Sequence, residues 1–196
     1  MAIDHYSRRL MGFAVYRALP SSALVRRFLE AAFQEARAIP HDLISDQGIQ
    51  FTARAFRRWC HRHGIRHRFG ALGKYGGLTV IERGIRTIKN ECTRRLSVVP
   101  YRLAAFDQEL ALYCSWYNSL RPHSRLRGAT PDEVYLRRRQ EIRAPRFEPR
   151  RRWPRRSPCA SPRTLIRGQP GARLDLSVQF LAERRHLPII TLKRAA

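Results

Sequence analysis

Two carboxylates suggest the chemistry of this sequence. Asp46 closes the run Asp42-Leu43-Ile44-Ser45 and is followed by Gln47-Gly48, whereas Glu82 lies in Val80-Ile81-Glu82-Arg83, where a helical pattern begins. Thirty-five residues separate them. One acid at a strand end and one on a helix can converge on a hard divalent cation, whose preferred ligands are oxygens. Phosphodiester chemistry uses such cations to activate an attacking oxygen and to stabilise a leaving one. Glu82, Arg86 and Lys89 stand at i, i+4 and i+7, on one face of a helix that turns about 100° per residue. A carboxylate with two cations below it suits a metal site beside a nucleic-acid backbone. The same triplet also reads as a solvated face with an ion pair worth a few tenths of a kcal/mol. Gly48 is expected to let the backbone turn sharply beside Asp46. A site of this kind needs a third acid.

Charge narrows the partners. The 196 residues carry 39 Lys and Arg against 15 Asp and Glu, a net charge of +24. Such a surplus favours polyanions through counterion release. Only Lys74, Lys89 and Lys193 are lysines. Arginine's planar fork suits phosphate, although a GC-rich coding sequence also writes Arg for Lys. Cys60, Cys92, Cys114 and Cys159 form no CxxC pair, so reduced thiols in the cytoplasm are the expectation. No apolar run approaches the roughly 18 residues of a membrane span.

The elements that position the acids follow from periodicity. Residues 2–4 and 10–16 read as strands joined by a tight turn. Ser21 or Ser22 caps a helix to about Arg37. Leu43-Ile44 is a short buried strand. Thr52 caps a second helix, Ala53 to His63, which Gly64 ends. Residues 65–69 form another strand, followed by a glycine-rich loop around Lys74. Helices span about 79–95 and 103–120, and Thr130-Pro131 opens a last short one. The expected domains are 1–136 as an α/β core, 137–172 as a linker and 173–196 as a small β-hairpin tail. Eleven arginines in residues 137–163 mark the linker. Strict alternation in Leu174–Phe180 marks the hairpin.

The sequence resembles a known family at four ordered places. Ser45-Asp46-Gln47-Gly48-Ile49-Gln50-Phe51 is similar to the second-acid motif of DDE transposases and retroviral-type integrases. Val80-Ile81-Glu82-Arg83 with Thr87-Ile88-Lys89-Asn90-Glu91 resembles their third-acid helix. Trp116-Tyr117-Asn118, Arg121-Pro122-His123 and Thr130–Tyr135 resemble the C-terminal signature, and Asp4–Arg9 resembles the second-strand segment. Together these span roughly residues 2–136.

The resemblance implies an RNase H-like integrase core and DNA integration or transposition by divalent-metal-dependent strand transfer. Asp46 and Glu82 would bind Mg²⁺ or Mn²⁺. Lys89 would touch DNA phosphate, with Arg86, Lys74, Arg121 and His123 as further DNA-binding candidates. Partners would be DNA and other copies of the chain assembled on it, in the cytoplasm at the nucleoid. The family's first acid lies on a strand upstream of the Asp4 segment. The expectation is therefore a core lacking its first strand, a sheet divided into antiparallel and parallel parts, and an incomplete site. Asp4 is a weak substitute ligand; bonding to the turn that follows it is its expected role. Gly84, inside the acid-bearing helix, costs about 1 kcal/mol and replaces a large apolar residue. The alternative function is a non-catalytic nucleic-acid-binding remnant of a transposase. An RNA-associated basic protein leaves the Asp46–Glu82 spacing unexplained. Zinc at Cys60, His61, His63 and His67 lacks a second ligand pair of finger spacing.

Overall fold

The computed structural model describes residues 1–70, 78–96, 102–138 and 174–194. The chain divides into two compact units, Met1–Arg138 and Arg139–Ala196. The glycine-rich loop around Lys74, the arginine-rich linker and Cys159 lie outside the described residues.

The first unit begins with an antiparallel ribbon. Strand β1 (Ala2–Ile3) pairs with β2 (Leu10–Gly12) across a turn in which the Asp4 N–H donates to the Arg9 carbonyl at 2.8 Å. Helix α1 (Ser22–Ala36) follows, with the Ser21 side chain accepting from the Leu24 N–H. This satisfies one of the orphan donors at a helix start. Strand β3 (Asp42–Ser45) runs parallel to β4 (Arg66–Phe69), with Leu43 opposite His67 and Ser45 opposite Phe69. Between them lie a one-turn helix α2 (Ile49–Thr52) and helix α3 (Arg54–Arg62). Thr52 is thus not the cap of the second helix: it closes α2, Ala53 stands at the start of α3, and neither start has a side-chain cap. The Thr52 hydroxyl donates to the Ile49 carbonyl instead, at 3.3 Å. Gly64, with φ of 67°, ends α3 in the left-handed region where glycine pays no Cβ penalty.

Apolar spacing along α1 and α3 builds the first core. Val25 and Leu29 of α1 pack with Phe56, Trp59 and Cys60 of α3 and with Ile65, which leads into β4. Phe56 is fully buried. Burying a side chain of this size contributes on the order of 1.5–3 kcal/mol. The Trp59 indole N–H donates to Glu30 at 2.6 Å, so the only polar atom of the ring is satisfied.

Helix α4 (Thr79–Ile88) continues into a π-helical turn, Lys89–Thr93. Helix α5 (Leu103–Ser119) turns Leu110, Tyr113, Trp116 and Tyr117 inward. Trp116 and Tyr117 are core residues, and no base-stacking role is needed to explain them. A 3₁₀ turn (Ser124–Leu126) leads to α6 (Pro131–Tyr135). Its start is a capping box in which Thr130 and Glu133 satisfy each other's backbone N–H groups. Among the described strands, the ribbon and the parallel pair are separate two-stranded sheets with no ladder between them. This is the divided arrangement that the sequence led one to expect.

In the second unit β5 (Leu174–Phe180) pairs antiparallel with β6 (Pro188–Arg194), from Leu174 opposite Arg194 to Phe180 opposite Pro188.

Candidate functional site

The end of β3 is fixed before Asp46 leaves it. Ser45 is buried, and its hydroxyl donates to the Asp46 carbonyl at 2.8 Å. Its one proton being spent there, the His67 Nε2–H is the donor in the 2.8 Å contact with the same oxygen. Burial first, and then Arg57, hold His67 below the ordinary imidazole range. The Gly70 N–H adds a further bond to the Ser45 carbonyl. Beyond this anchor Asp46 is exposed, and among the described residues its Oδ1 accepts from the Gly48 N–H at 3.0 Å. Gly48 has φ of −55° and ψ of 148°, a conformation open to any residue. The left-handed glycine turn expected there is absent; the Gly48 N–H to Asp46 Oδ1 bond is a local Asx-type contact just before α2.

Glu82 stands in the first turn of α4, its N–H bonded to the Leu78 carbonyl. An acid here is favoured by the helix dipole. Glu82, Arg86 and Lys89 are all exposed, and Glu82 makes no ion pair among the described residues. Lys89 opens the π-helical turn, a departure from α geometry that often accompanies function. Gly84 has a packing role. It is buried, and a Cβ there would meet Met1 Cε at 3.0 Å and Ile3 Cδ1 at 3.4 Å. The missing side chain therefore lets α4 lie against β1. A larger residue at this position would require the Met1 side chain to shift.

Most of the remaining motif residues hold the fold together. Asp4 Oδ2 accepts from both the N–H and the hydroxyl of Ser7, at 2.7 and 2.6 Å. This is the turn-bonding role expected of it. Asn118 grips strand β2: its Oδ1 accepts from the Leu10 N–H at 2.8 Å and its Nδ2 donates to the Leu10 carbonyl at 3.0 Å. Arg9 pairs with Asp132 at 2.7 Å and lies over the Tyr135 ring at 5.0 Å. Arg121 forks onto both oxygens of Glu91, at 2.7 and 2.5 Å, and the Tyr113 hydroxyl adds a third donor at 3.1 Å. Burial, reinforced by Glu91, pushes the Tyr113 phenol far above its ordinary range. His123 stacks edge-on against Tyr117 and contacts Arg121 Nη1 at 3.1 Å. Burial, and secondarily Arg121, push its pKa down to about 4. Arg121 and His123, singled out for DNA, are thus engaged in a half-buried network with Glu91.

That network was missed in the sequence, because Glu91 and Arg121 are thirty residues apart and have no local pattern linking them. Arg8 was missed as well. It is a non-glycine residue at φ of 65° whose Nη1 is buried without a hydrogen-bond partner among the described residues. Residue type alone could not reveal either property.

The donor chemistry of Asp46 and Glu82 fits a hard, oxygen-seeking ion, since Mg²⁺ commonly takes only one or two carboxylates and completes its shell with water and substrate phosphate. Among the described residues, however, no group of three or more His, Cys, Asp and Glu side chains is placed to hold a metal. Of the zinc candidates, Cys60 is buried in the first core, His67 faces Ser45 and His63 packs on Trp59. Among the described residues no helix is long and apolar enough to cross a membrane.

An antiparallel ribbon, a parallel pair with an acid at its strand end and a later helix with a second acid define an α/β fold of the integrase catalytic-core class. Comparisons agree. Residues 1–74 match one family profile described as an integrase core domain, and residues 63–131 match a second with the same description. The chain is 28% identical over 125 residues to a 39.2 kDa protein of insertion element IS476 from Xanthomonas euvesicatoria, covering 62% of this chain and 34% of that one. It is 26% identical over 132 residues to InsK of insertion sequence element IS150 from Escherichia coli K12, covering 67% and 46%. It therefore spans between a third and a half of the length of these relatives. Among solved structures, the magnesium-bound catalytic core of the HTLV-2 integrase, in dimeric form, superposes with a TM-score of 0.53 at 20% identity, covering 68% of this chain and 80% of that one. The simian T-cell lymphotropic virus intasome bound to the PP2A subunit B56 gamma gives 0.58 at 17% identity, covering 98% and 60%. The chain belongs to the integrase core domain family, in the group of DDE transposases and retroviral-type integrases.

Proposed function

We propose that this chain carries out DNA integration or transposition, supplying a catalytic region that acts on DNA phosphodiesters with Mg²⁺ or Mn²⁺ at Asp46 and Glu82. The observation that carries this reading is the exposure of both acids in a unit where Asp42, Glu91 and Asp132 are all ion-paired. A bound divalent ion would polarise the phosphate and favour the attacking oxygen as its anion. The chain's own residues do the rest. The Ser45–His67 anchor and the first turn of α4 hold the two acids on separate, rigid supports. Arg86 and Lys89, exposed on the helix that carries Glu82, take backbone phosphates of the strand, and Lys74 is proposed for the same role. The strand is cut by in-line attack: a hydroxyl or water oxygen forms the new bond to phosphorus as the bond to the 3′-oxygen breaks, and a proton passes from nucleophile to leaving oxygen through solvent. DNA and further copies of the chain are the proposed partners, at the nucleoid.

The test is nicking or joining of labelled DNA in Mg²⁺ or Mn²⁺ by the unaltered chain and by the Asp46→Asn and Glu82→Gln variants. Loss of activity in both supports catalysis at this pair. A second reading, DNA binding without catalysis, is favoured by the absence of a third gathered ligand among the described residues. Salt-dependent DNA binding that is indifferent to both substitutions, with no cleavage by the unaltered chain, would establish it.

A further inference from the structure

Helix α3 carries positive charge with nothing on it to balance that charge. Four of its nine residues, Arg54, Arg57, Arg58 and Arg62, are arginines, His61 lies among them, and none is acidic. Arg54 with Arg58, and Arg58 with Arg62, are like-charged pairs at i and i+4, a spacing at which repulsion weakens a helix. Arg54 also stands at the helix start, where the dipole favours an anion. Only His61 and Arg62, in the last turn, are placed as the dipole prefers. On the neighbouring strand β4, by contrast, Arg66 and Arg68 share the carboxylate of Asp42. Arg58 and Arg62 are exposed and have no ion pair among the described residues.

The fold gathers this charge around one space. Phe56, Trp59 and Cys60 turn one side of α3 into the core. Ala55, Arg58 and Arg62, at i, i+3 and i+7, share another side. With His61 and with Arg26 of α1 they line an open cavity of about 540 Å³. Three guanidinium groups and an imidazole thus face a space whose one further lining residue is an alanine. No carboxylate lines it. Arg26 is half-buried, and its Nε donates to the Ser22 carbonyl at 3.4 Å, which engages one of its five N–H donors. Glu30, one turn along α1, is the acid best spaced to neutralise Arg26, but its Oε1 accepts from the Trp59 indole at 2.6 Å. Neither Asp46 nor Glu82 lines the cavity, so it is separate from the acid pair.

We propose that the cavity between α1 and α3 binds phosphate through Arg26, Arg58 and Arg62, and that the phosphates are those of a DNA backbone lying across these two helices. Guanidinium forks match phosphate oxygens in geometry as well as charge. An anion held there also relieves the repulsion that α3 otherwise carries. The inference rests on the reading of the chain as a DNA-acting core and adds to it a second place where DNA is held, apart from Asp46 and Glu82. The ligand chemistry, a phosphate oxyanion accepting from guanidinium N–H groups, is shared by DNA and by free polyphosphate.

The test is binding of linear duplex DNA by the full chain, measured by fluorescence anisotropy in EDTA over a salt series. Arg58→Gln with Arg62→Gln is expected to lower affinity and to shrink the slope of log K against log salt by about 1.8, two phosphate contacts at about 0.9 each. Its melting temperature should hold, because the like-charged pairs go with the arginines. Arg17→Gln with Arg127→Gln removes the same charge from exposed positions outside the cavity and should leave the slope unchanged. Ala55→Glu keeps every arginine but sets a carboxylate among them, in the first turn where the dipole favours it. It should weaken DNA binding while the melting temperature holds or rises, and it decides the matter if the double variant unfolds. Equal slopes in the cavity and control variants, or full DNA affinity in Ala55→Glu, would overturn the proposal. Thermal stabilisation by inorganic tripolyphosphate that the double variant loses, with its DNA slope intact, would assign the cavity to free phosphate compounds and overturn the DNA assignment. Loss of polyglutamate binding with DNA affinity intact would do so in favour of an acidic protein. Metal-dependent nicking is scored separately: its absence in the unaltered chain, with the slope shrinking as expected, overturns the catalytic reading and leaves this site standing.

Discussion

Glu82 and Glu91 belong to one continuous helical run, yet the molecule treats them in opposite ways. Glu82 is exposed, with no ion pair among the described residues. Glu91 is half-buried, gripped by the fork of Arg121 and by the Tyr113 hydroxyl. The nine residue steps from one to the other amount to roughly 900° at about 100° each, a little less through the π-helical turn, so the two acids face roughly opposite sides. The side turned toward α5 meets a cation and a phenol already desolvated by their neighbours; the side turned away meets solvent. Carboxylates of the first kind hold structure. Only carboxylates of the second kind are free to receive an ion and a substrate.

The sharpest way to break this contrast is to neutralise each acid in turn. Glu82→Gln is expected to reduce metal-dependent DNA cleavage or joining by on the order of 10³-fold or more, with stability changed by less than about 0.5 kcal/mol. Asp46→Asn should behave alike. Activity and urea melts on the same samples check both. Glu91→Gln should do the reverse in stability, costing about 2 kcal/mol by leaving Arg121 partly desolvated and unpaired, less than a fully buried pair would lose. A double variant, Glu91→Leu with Arg121→Met, should recover part of that loss. If Glu82→Gln proves the more destabilising of the two, the contrast fails.

Asn118→Ala extends the test to α5 and its hold on β2. It leaves the Leu10 N–H and carbonyl without their partners, at an expected cost of about 1–3 kcal/mol, read from the denaturant midpoint. The smallest effect is in pH. His123 is held down to about 4, below the ordinary 6.5, so it is the neutral ring that the fold favours. Its contribution is complete above about pH 6.5 and is lost as pH falls toward 4, where the unfolded chain binds the proton more readily. Melting temperature should decline across that window, and His123→Phe should flatten the decline relative to the unaltered chain.

The sequence made the positions of the elements legible wherever the pattern was local. Ser21 capping α1, Gly64 ending α3 and Thr130-Pro131 opening α6 all depend on residues within a turn of one another, and all are found. Asp46 and Glu82 stand exposed on separate supports, the end of β3 and the first turn of α4. What the sequence could not disclose depends on distant partners. Arg121 and His123 look like DNA contacts by type, but their partners are set by tertiary packing. Arg9 finds Asp132 across 123 residues. Gly84 looks costly in a helix until Ile3 is seen against it. Thr52 was a plausible cap, but the extra turn of α2 moved the start of α3 past it.

The Asn118 grip on Leu10 has one more consequence. Its amide offers one donor and one acceptor in the arrangement that a residue of a neighbouring strand would present, and it places them on β2. An edge strand with free N–H and carbonyl groups invites another chain to add on. Here a side chain from α5 closes off Leu10, while β1 has no second neighbour among the described strands. The ribbon is therefore polar in the sense of a growing lattice: terminated on one side, extensible on the other. Any strand that joins it is directed to the β1 edge.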